Sequence, residues 1–504
     1  LKAQLCRGRF AALVALAAAA LLALEARADV DLRRIVVEHR LQNGMKFLLV
    51  RRPGAPVFAA YVRVKAGGAD EQPGKTGLAH LFEHLAFKGT PIVGARDWEK
   101  ERPVLLEIAR LGEEIVQLQQ VEPRDAARIG KLEARIAELS VKERSLEDEN
   151  AMLSLLLRNG GIDVNASTDK DMTSYYVSLP SNRLELWALL EASRLAAPVP
   201  RDFYAERAVV LEERRERVES MPVGALFEEL SAVAFTASPY RWPTVGYQSD
   251  LESLTVHDAL LFHREHYAPA NAVAALVGDL DLDQTRAVLE RTFGAIPARP
   301  LPRVMPSREP PQVAERRSTL FFEAAPQLAV AFHKPTLPSR DDYVFDVLQI
   351  LLTEGRASRL YRTLVTDRQM AADVYGTTMP GARLPHLFVV GATVLGDHSI
   401  EELEREMLAE LDRLKEAPVS VAELAMVRAK LDASFSREIA TNQGLAEGLT
   451  FFEVLAGDWR YLADHRSQIA SITAEDVQRV ARTYFVPENR TVVFLRRPGE
   501  GGER

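Results

Sequence analysis

Residues 254–279, "LTVHDALLFHREHYAPANAVAALVGD", return in altered form at 472–498 as "ITAEDVQRVARTYFVPENRTVVFLRRP". Each copy sets Thr three places before Asp (Thr255 and Asp258; Thr473 and Asp476), a pairing that caps the first turn of a helix. Each then runs through Tyr, Pro and Asn into an apolar stretch that reads as a strand. Repetition of so composite a unit implies two homologous α+β halves. Between them, "IPARPLPRVMPSREPPQVAERR" at 296–317 is rich in Pro and Arg and reads as a linker. The expected layout is a leader over 1–28, an N-terminal domain over 29–295, the linker over 296–317 and a C-terminal domain over 318–504.

At 504 residues the chain exceeds what one hydrophobic core usually serves, as two domains require. Its net charge of -8 and scattered basic residues give no electrostatic footing for a polyanion, so nucleic acid is not an expected partner. Lys2, Arg7 and Arg9 precede "FAALVALAAAALLAL", and Ala26-Arg27-Ala28 follows as a small-x-small cleavage site. The apolar run is about 15 residues, short of the roughly 20 that span a bilayer, so a cleaved secretory leader is expected and a stable membrane anchor is not. The mature protein is then periplasmic or secreted. Cys6, the only cysteine, lies ahead of that run. Without cysteine, a mature chain has no disulfide and must hold any metal with His, Asp or Glu.

In the first half, "VVEHRLQNGMKFLLVRR" (36–52) alternates apolar and polar residues around Asn43-Gly44, a strong hairpin signal. "PVFAAYVRVKAGGADE" (56–71) reads as a further strand ending in a glycine turn. From about 97 to 158 the composition shifts to Glu, Lys, Arg, Leu and Ile. Ile129, Leu132, Ile136 and Leu139 follow a 3-4-3 spacing, and Pro123 interrupts the pattern. This predicts an inserted helical hairpin whose charged faces form a solvated surface.

Directly after the second of these strands stands "HLFEHLAFKGT", His80 to Thr90. On a helix, His80, Glu83 and His84 project from one face. Two imidazoles four residues apart can hold one zinc ion, and the glutamate is left beside the open coordination position, where it can take a proton from water. The order is H-x-x-E-H, the reverse of H-E-x-x-H.

Embedded in "GLAHLFEHLAFKGT" and preceded by "AGGADE", this helix resembles that of the pitrilysin/insulinase family of zinc peptidases, in the branch containing the mitochondrial processing peptidase and bacterial periplasmic relatives. The likeness covers nearly the whole mature chain, including the Asn-Gly hairpin, the "NASTDKDMTSYY" segment and both Tyr-Pro-Asn turns. It implies an α+β fold of two homologous domains, each an antiparallel sheet packed with helices, together forming half of a clamshell chamber. One zinc ion per chain is implied, held by His80, His84 and a glutamate on a later helix, with Glu83 as the base.

"FYAERAVVLEERRERVES" (203–220) carries the family's pattern for that later helix, with Glu206 and Glu213 seven residues apart. The resemblance makes Glu213 the third ligand and Glu206 a supporting carboxylate that orients the site. Glu212 competes with Glu213, because one step of helix register exchanges them. The separation from His84 is longer than in the family by about the length of the insert. Asn165 and Ala166, in "VNASTDKDMTSYYVSLP", match the family's edge strand beside the zinc, where an extended peptide adds as a further strand.

The implied activity is zinc-dependent endopeptidase cleavage of peptides or unfolded segments. The alternative is a non-catalytic binding or assembly subunit that keeps a structural zinc. In single-chain relatives the second half supplies an arginine and, seven residues on, a tyrosine. Ungapped alignment of "RLYRTLVTDRQMAADVYGTT" puts Val365 and Ala372 there, so a homologous partner subunit lacking H-x-x-E-H is expected to bring the pair. Arg368 and Tyr375, also seven apart, are the rival pair in cis.

Overall fold

The computed structural model describes residues 31–301 and 307–499. The leader boundary at Ala28 and part of the linker lie outside the described residues. Asp31 caps a short helix, Leu32–Ile35, through the backbone N–H of Arg33. Among the described residues, those from Val37 onward group as one compact unit and those before it belong to another.

Six strands build the first sheet: β1 (Val36–Arg40), β2 (Lys46–Arg51), β3 (Val57–Val64), β4 (Ile162–Thr168), β5 (Thr173–Pro180) and β6 (Ala272–Gly278), in the order β1-β2-β6-β3-β5-β4. Five build the second: β7 (Arg316–Phe321), β8 (Gln327–Lys334), β9 (Ala371–Met379), β10 (His386–Val394) and β11 (Arg490–Arg496), in the order β7-β11-β8-β10-β9. The second order repeats the last five strands of the first, pair for pair. The expected antiparallel sheets each contain one parallel pair, β2 with β6 and β7 with β11. Alternating polarity encodes which face of a strand is buried but not its neighbour's direction, which a long helical return leaves free to be parallel.

The echoed segments deliver the central strands. Val256–His266 and Ala474–Tyr484 are helices with reciprocal Thr–Asp caps, each followed by a single tight turn and then β6 or β11. The repeated Asn has one task in both copies. The Asn271 side-chain amide donates to the carbonyls of Lys65 (3.0 Å) and His266 (2.8 Å), and that of Asn489 to those of His333 (2.9 Å) and Tyr484 (3.0 Å). One side chain thus joins the end of a helix to a strand segment and satisfies carbonyls that the turn would leave unpaired. At the Asn43-Gly44 turn, Gly44 has φ +93°, and a Cβ there would come within 2.7 Å of Ala270 Cβ.

Each half lends a helix to the other's sheet. Pro222–Ala234 packs Leu226, Leu230 and Ala234 against Ala329, Ala331, Val493 and Leu495 of the second sheet. Asn442–Ala456 returns the favour on β3 and β6. Covered on both faces, β6 is buried along its whole length. At roughly 1.5–3 kcal/mol for each large side chain removed from water, these exchanged helices tie the halves strongly.

The insert forms the helices Trp98–Gln119 and Ala126–Leu146, sharing an apolar seam of Val104, Ile108, Leu111, Ile115, Ile136 and Leu139. Its outer faces are solvated as expected, but its inner face is bound to the domain. Fully buried Arg201 is paired with fully buried Glu101 and also donates to the carbonyls of Lys88 (2.7 Å) and Thr90 (3.0 Å). Glu101→Ala leaves that guanidinium buried without its counter-charge, and urea denaturation should register a loss of about 3–5 kcal/mol.

Glu143 of the insert accepts the N–H of Asp202 at 2.9 Å. Burial, reinforced by the charges of Asp202 and Glu147, pushes its carboxyl up to about 7. The folded state therefore keeps a proton that the unfolded chain has released, so this group's contribution to stability is lost as pH rises from about 4.5 to 7. Glu143→Gln keeps an acceptor and removes the charge. Its melting temperature at pH 8 should exceed the parent's, by a margin that narrows toward pH 5.

Candidate metal centre

The helix Leu78–Leu85 begins at Gly77, whose φ of +85° and close approach to Val245 O, 2.5 Å from a built Cβ, exclude a side chain. Buried Glu71 accepts the N–H groups of Gly77 (3.0 Å) and Ala79 (2.7 Å), satisfying donors that a helix start leaves open. The "AGGADE" segment thus ends in a carboxylate that seats the helix. Its place ahead of a helix start was visible in sequence, its role was not.

His80 and His84 stand on one face with ring centroids 4.9 Å apart. Phe203–Arg214 crosses beside them and continues into a wider π-type turn, Arg215–Glu219. Glu213 faces both rings, its two oxygens lying 3.5 Å from His80 Nε2 and 3.5 Å from His84 Nε2. Each of the three residues offers one donor atom such that all lie within 4.8 Å of one another, the single such cluster among the described residues. Glu212 points away: its side chain is 53% exposed and paired with Arg215, whereas that of Glu213 is 15% exposed. Glu213 is also held by Arg217 at 2.5 Å.

Around this trio the carboxylates dominate. Glu206 Oε2 lies 3.2 Å from His84 Nδ1, and its other oxygen accepts from Lys88 Nζ at 2.8 Å. The His84 hydrogen bond, opposed by burial and helped by Lys88, holds Glu206 down to about 2. His84 is itself raised to about 9, because Glu206 and Glu213 outweigh the burial that would lower it. Burial holds His80 down to about 4, leaving a neutral imidazole with a lone pair to give. Its Nδ1 is buried without a hydrogen-bond partner among the described residues. Burial raises Glu83, whose Oε2 accepts from Thr168 Oγ1 at 2.7 Å.

Two nitrogens and a carboxylate oxygen, converging in surplus negative charge, fit a zinc ion with a fourth position open. Lys88, Thr168 and Arg217 were missed from sequence, because each acts through a contact made only on folding.

Asn165 and Ala166 lie on β4, which ends the first sheet. Asn165 Oδ1 accepts the N–H of Ala166 at 2.9 Å. Val365 is half-buried beside the second core and Ala372 is exposed. In the rival pair, Arg368 is bound to Glu406 at 3.0 Å, and the Tyr375 hydroxyl is buried without a hydrogen-bond partner among the described residues. The Tyr375 ring lies over Gly391 and edge-on to Phe227.

The structure thus joins two similar α+β halves, the first of which carries the H-x-x-E-H helix. Residues 46–102 match the model of the insulinase family, peptidase family M16, and 253–431 match the M16 inactive domain. The chain is 26% identical to the zinc protease PqqE of Helicobacter pylori over 90% of its own length and 91% of that relative. It is 24% identical to the probable mitochondrial-processing peptidase subunit beta of Schizosaccharomyces pombe, over 88% and 87%. The crystal structure of a protease from Helicobacter pylori superposes with a TM-score of 0.77 at 24% identity, covering 92% of this chain and 99% of that one. By these matches the chain is similar to peptidases of the pitrilysin/insulinase family and to a mitochondrial-processing peptidase subunit.

Proposed function

We propose that the protein is a zinc-dependent endopeptidase acting on peptides or unfolded polypeptide segments. The convergence of His80, His84 and Glu213 beside Glu83 is the observation that carries this reading. Bound there, one zinc ion supplies a Lewis acid that polarises water and the scissile carbonyl. His80 and His84 give Nε2 lone pairs, and Glu213 gives a carboxylate oxygen. Glu206 orients His84 through Nδ1 and strengthens it as a donor. Glu83 accepts the proton of the attacking water and delivers it to the leaving amine; its raised carboxyl suits a group that must take up and release that proton.

β4 is the end strand of its sheet among the described residues, an edge on which an extended substrate can pair, so the main chain provides affinity with little demand on sequence. Asn165 would turn its amide from the Ala166 N–H to the incoming strand. Likeness to a mitochondrial-processing peptidase subunit beta, together with Val365 and Ala372 where a donor pair is needed, supports a homologous partner that brings an arginine and a tyrosine. The engagement of Arg368 with Glu406 and the burial of the Tyr375 hydroxyl speak against the cis pair. The leader-like N-terminus supports export to the periplasm or beyond. No helix among the described residues is long and apolar enough to cross a membrane.

The deciding experiment combines metal analysis with hydrolysis of an internally quenched unstructured peptide, by the chain alone and with its homologue. One zinc per chain and chelator-sensitive cleavage are expected. Stoichiometric zinc without cleavage in either preparation would favour the non-catalytic subunit.

A further inference from the structure

Among the described residues, Thr168 is the one hydrogen-bond partner of the Glu83 carboxylate. The alternative acceptor for the Thr168 hydroxyl, Thr173 Oγ1, is farther away at 3.4 Å and has its own hydrogen committed to Ala66 O at 2.9 Å. The Thr168 hydrogen is therefore aimed at Glu83 Oε2, which leaves Oε1 for the reacting water.

Thr168 ends β4 where the chain turns through 169–172 into β5. Asp169 braces that turn from within, accepting the N–H groups of Asp171 (2.6 Å) and Met172 (2.9 Å). The outer brace comes from the other half of the molecule. The loop joining β9 to β10 inserts its tip against the turn, where buried Asp171 Oδ2 accepts the N–H groups of Ala382 (2.6 Å) and Arg383 (2.9 Å). Asp171 Oδ1 accepts from Tyr240 OH at 2.6 Å, and that hydroxyl in turn accepts the N–H of Leu384 at 3.0 Å. The Arg383 guanidinium reaches both oxygens of Asp70 at 3.0 Å. Asp70 ends the 68–70 turn, whose Gly68 and Ala69 N–H groups bond the Asp169 and Lys170 carbonyls at 2.9 and 2.7 Å. The turn that presents Thr168 is thus gripped at Asp171 and, through Asp70, at its backbone.

We propose that Thr168 is the positioning residue for Glu83, and that Arg383 and its loop, from the half matched to an inactive domain, hold Thr168 in place. The inference rests on Glu83 acting as the base. Removing the hydroxyl frees the carboxylate to rotate while leaving the metal donors and the β4 edge untouched, so the loss falls on the chemical step rather than on substrate affinity.

The test uses the full chain, with its homologue where cleavage requires it, and an internally quenched unstructured peptide. Thr168→Val is expected to lower kcat by about 10- to 100-fold at unchanged KM, since misplacing a reacting group by an ångström costs about that much. Bound zinc, and the affinity for the peptide measured in a Glu83→Gln background, should not change. Thr168→Ser keeps the hydroxyl and should restore kcat to within a few-fold of the parent. Arg383→Gln should repeat the kcat loss in milder form, again with full zinc. Parent-like kcat in Thr168→Val, or equal losses in the Ser and Val variants, would overturn the role of the hydroxyl. Loss of zinc or of peptide affinity in step with kcat would reduce Thr168 to a structural part. A parent protein that binds zinc but cleaves nothing would instead overturn the peptidase reading on which the inference stands.

Discussion

Glu83→Gln is expected to abolish peptide cleavage while keeping one zinc per chain. The amide preserves the shape of the side chain and can still meet the Thr168 hydroxyl, but it cannot take the proton of the attacking water. General-base contributions are about 10²–10⁴-fold in rate, and the same carboxyl must also return the proton to the leaving amine, so a loss of at least about 10³-fold in kcat should appear. His80, His84 and Glu213 keep their donor atoms in this variant, so metal analysis after dialysis should match the parent. Cleavage at parental rates would remove Glu83 as the base and transfer the role to another group.

Replacing Glu213 is expected to cost both metal and activity. Its carboxylate is the third donor, and Glu213→Ala leaves two imidazoles, of which His84 would still be drawn to its proton by Glu206. Zinc should be lost to a mild chelator, with cleavage falling to background. Glu212→Ala is the matched control, because that side chain is solvated and, among the described residues, pairs with Arg215 alone. It should retain stoichiometric zinc and near-parental kcat. The reverse result would mean that the Phe203–Arg214 helix is turned by one residue relative to the arrangement described.

Much of the site was legible because its signals are local. His80, Glu83 and His84 sit on one helical turn, so their common face follows from the geometry of the α-helix. Glu206 and Glu213 lie two turns apart, and their pairing with the first helix came from resemblance rather than from spacing. The Thr–Asp caps and the Tyr-Pro-Asn turns were likewise read as units, and both recur as helix, turn and strand. Composition and the 3-4-3 apolar spacing locate the charged insert but not its inner face. Glu101 and Glu143 look like any other surface acids until Arg201 and Asp202 are brought against them from 100 and 59 residues away.

The amino-acid sequence by itself determined the duplicated α+β plan, the inserted hairpin and the helix that carries two imidazoles and a base, since each is written in periodicity or caps within a few turns of chain. Tertiary structure decided the rest. It turned Glu213 rather than Glu212 toward the imidazoles, gave each sheet its parallel pair, exchanged a helix between the halves, and brought Arg383 to the turn that holds Thr168. These outcomes depend on which distant surfaces exclude water together and which buried charges find partners there, and no local pattern specifies either.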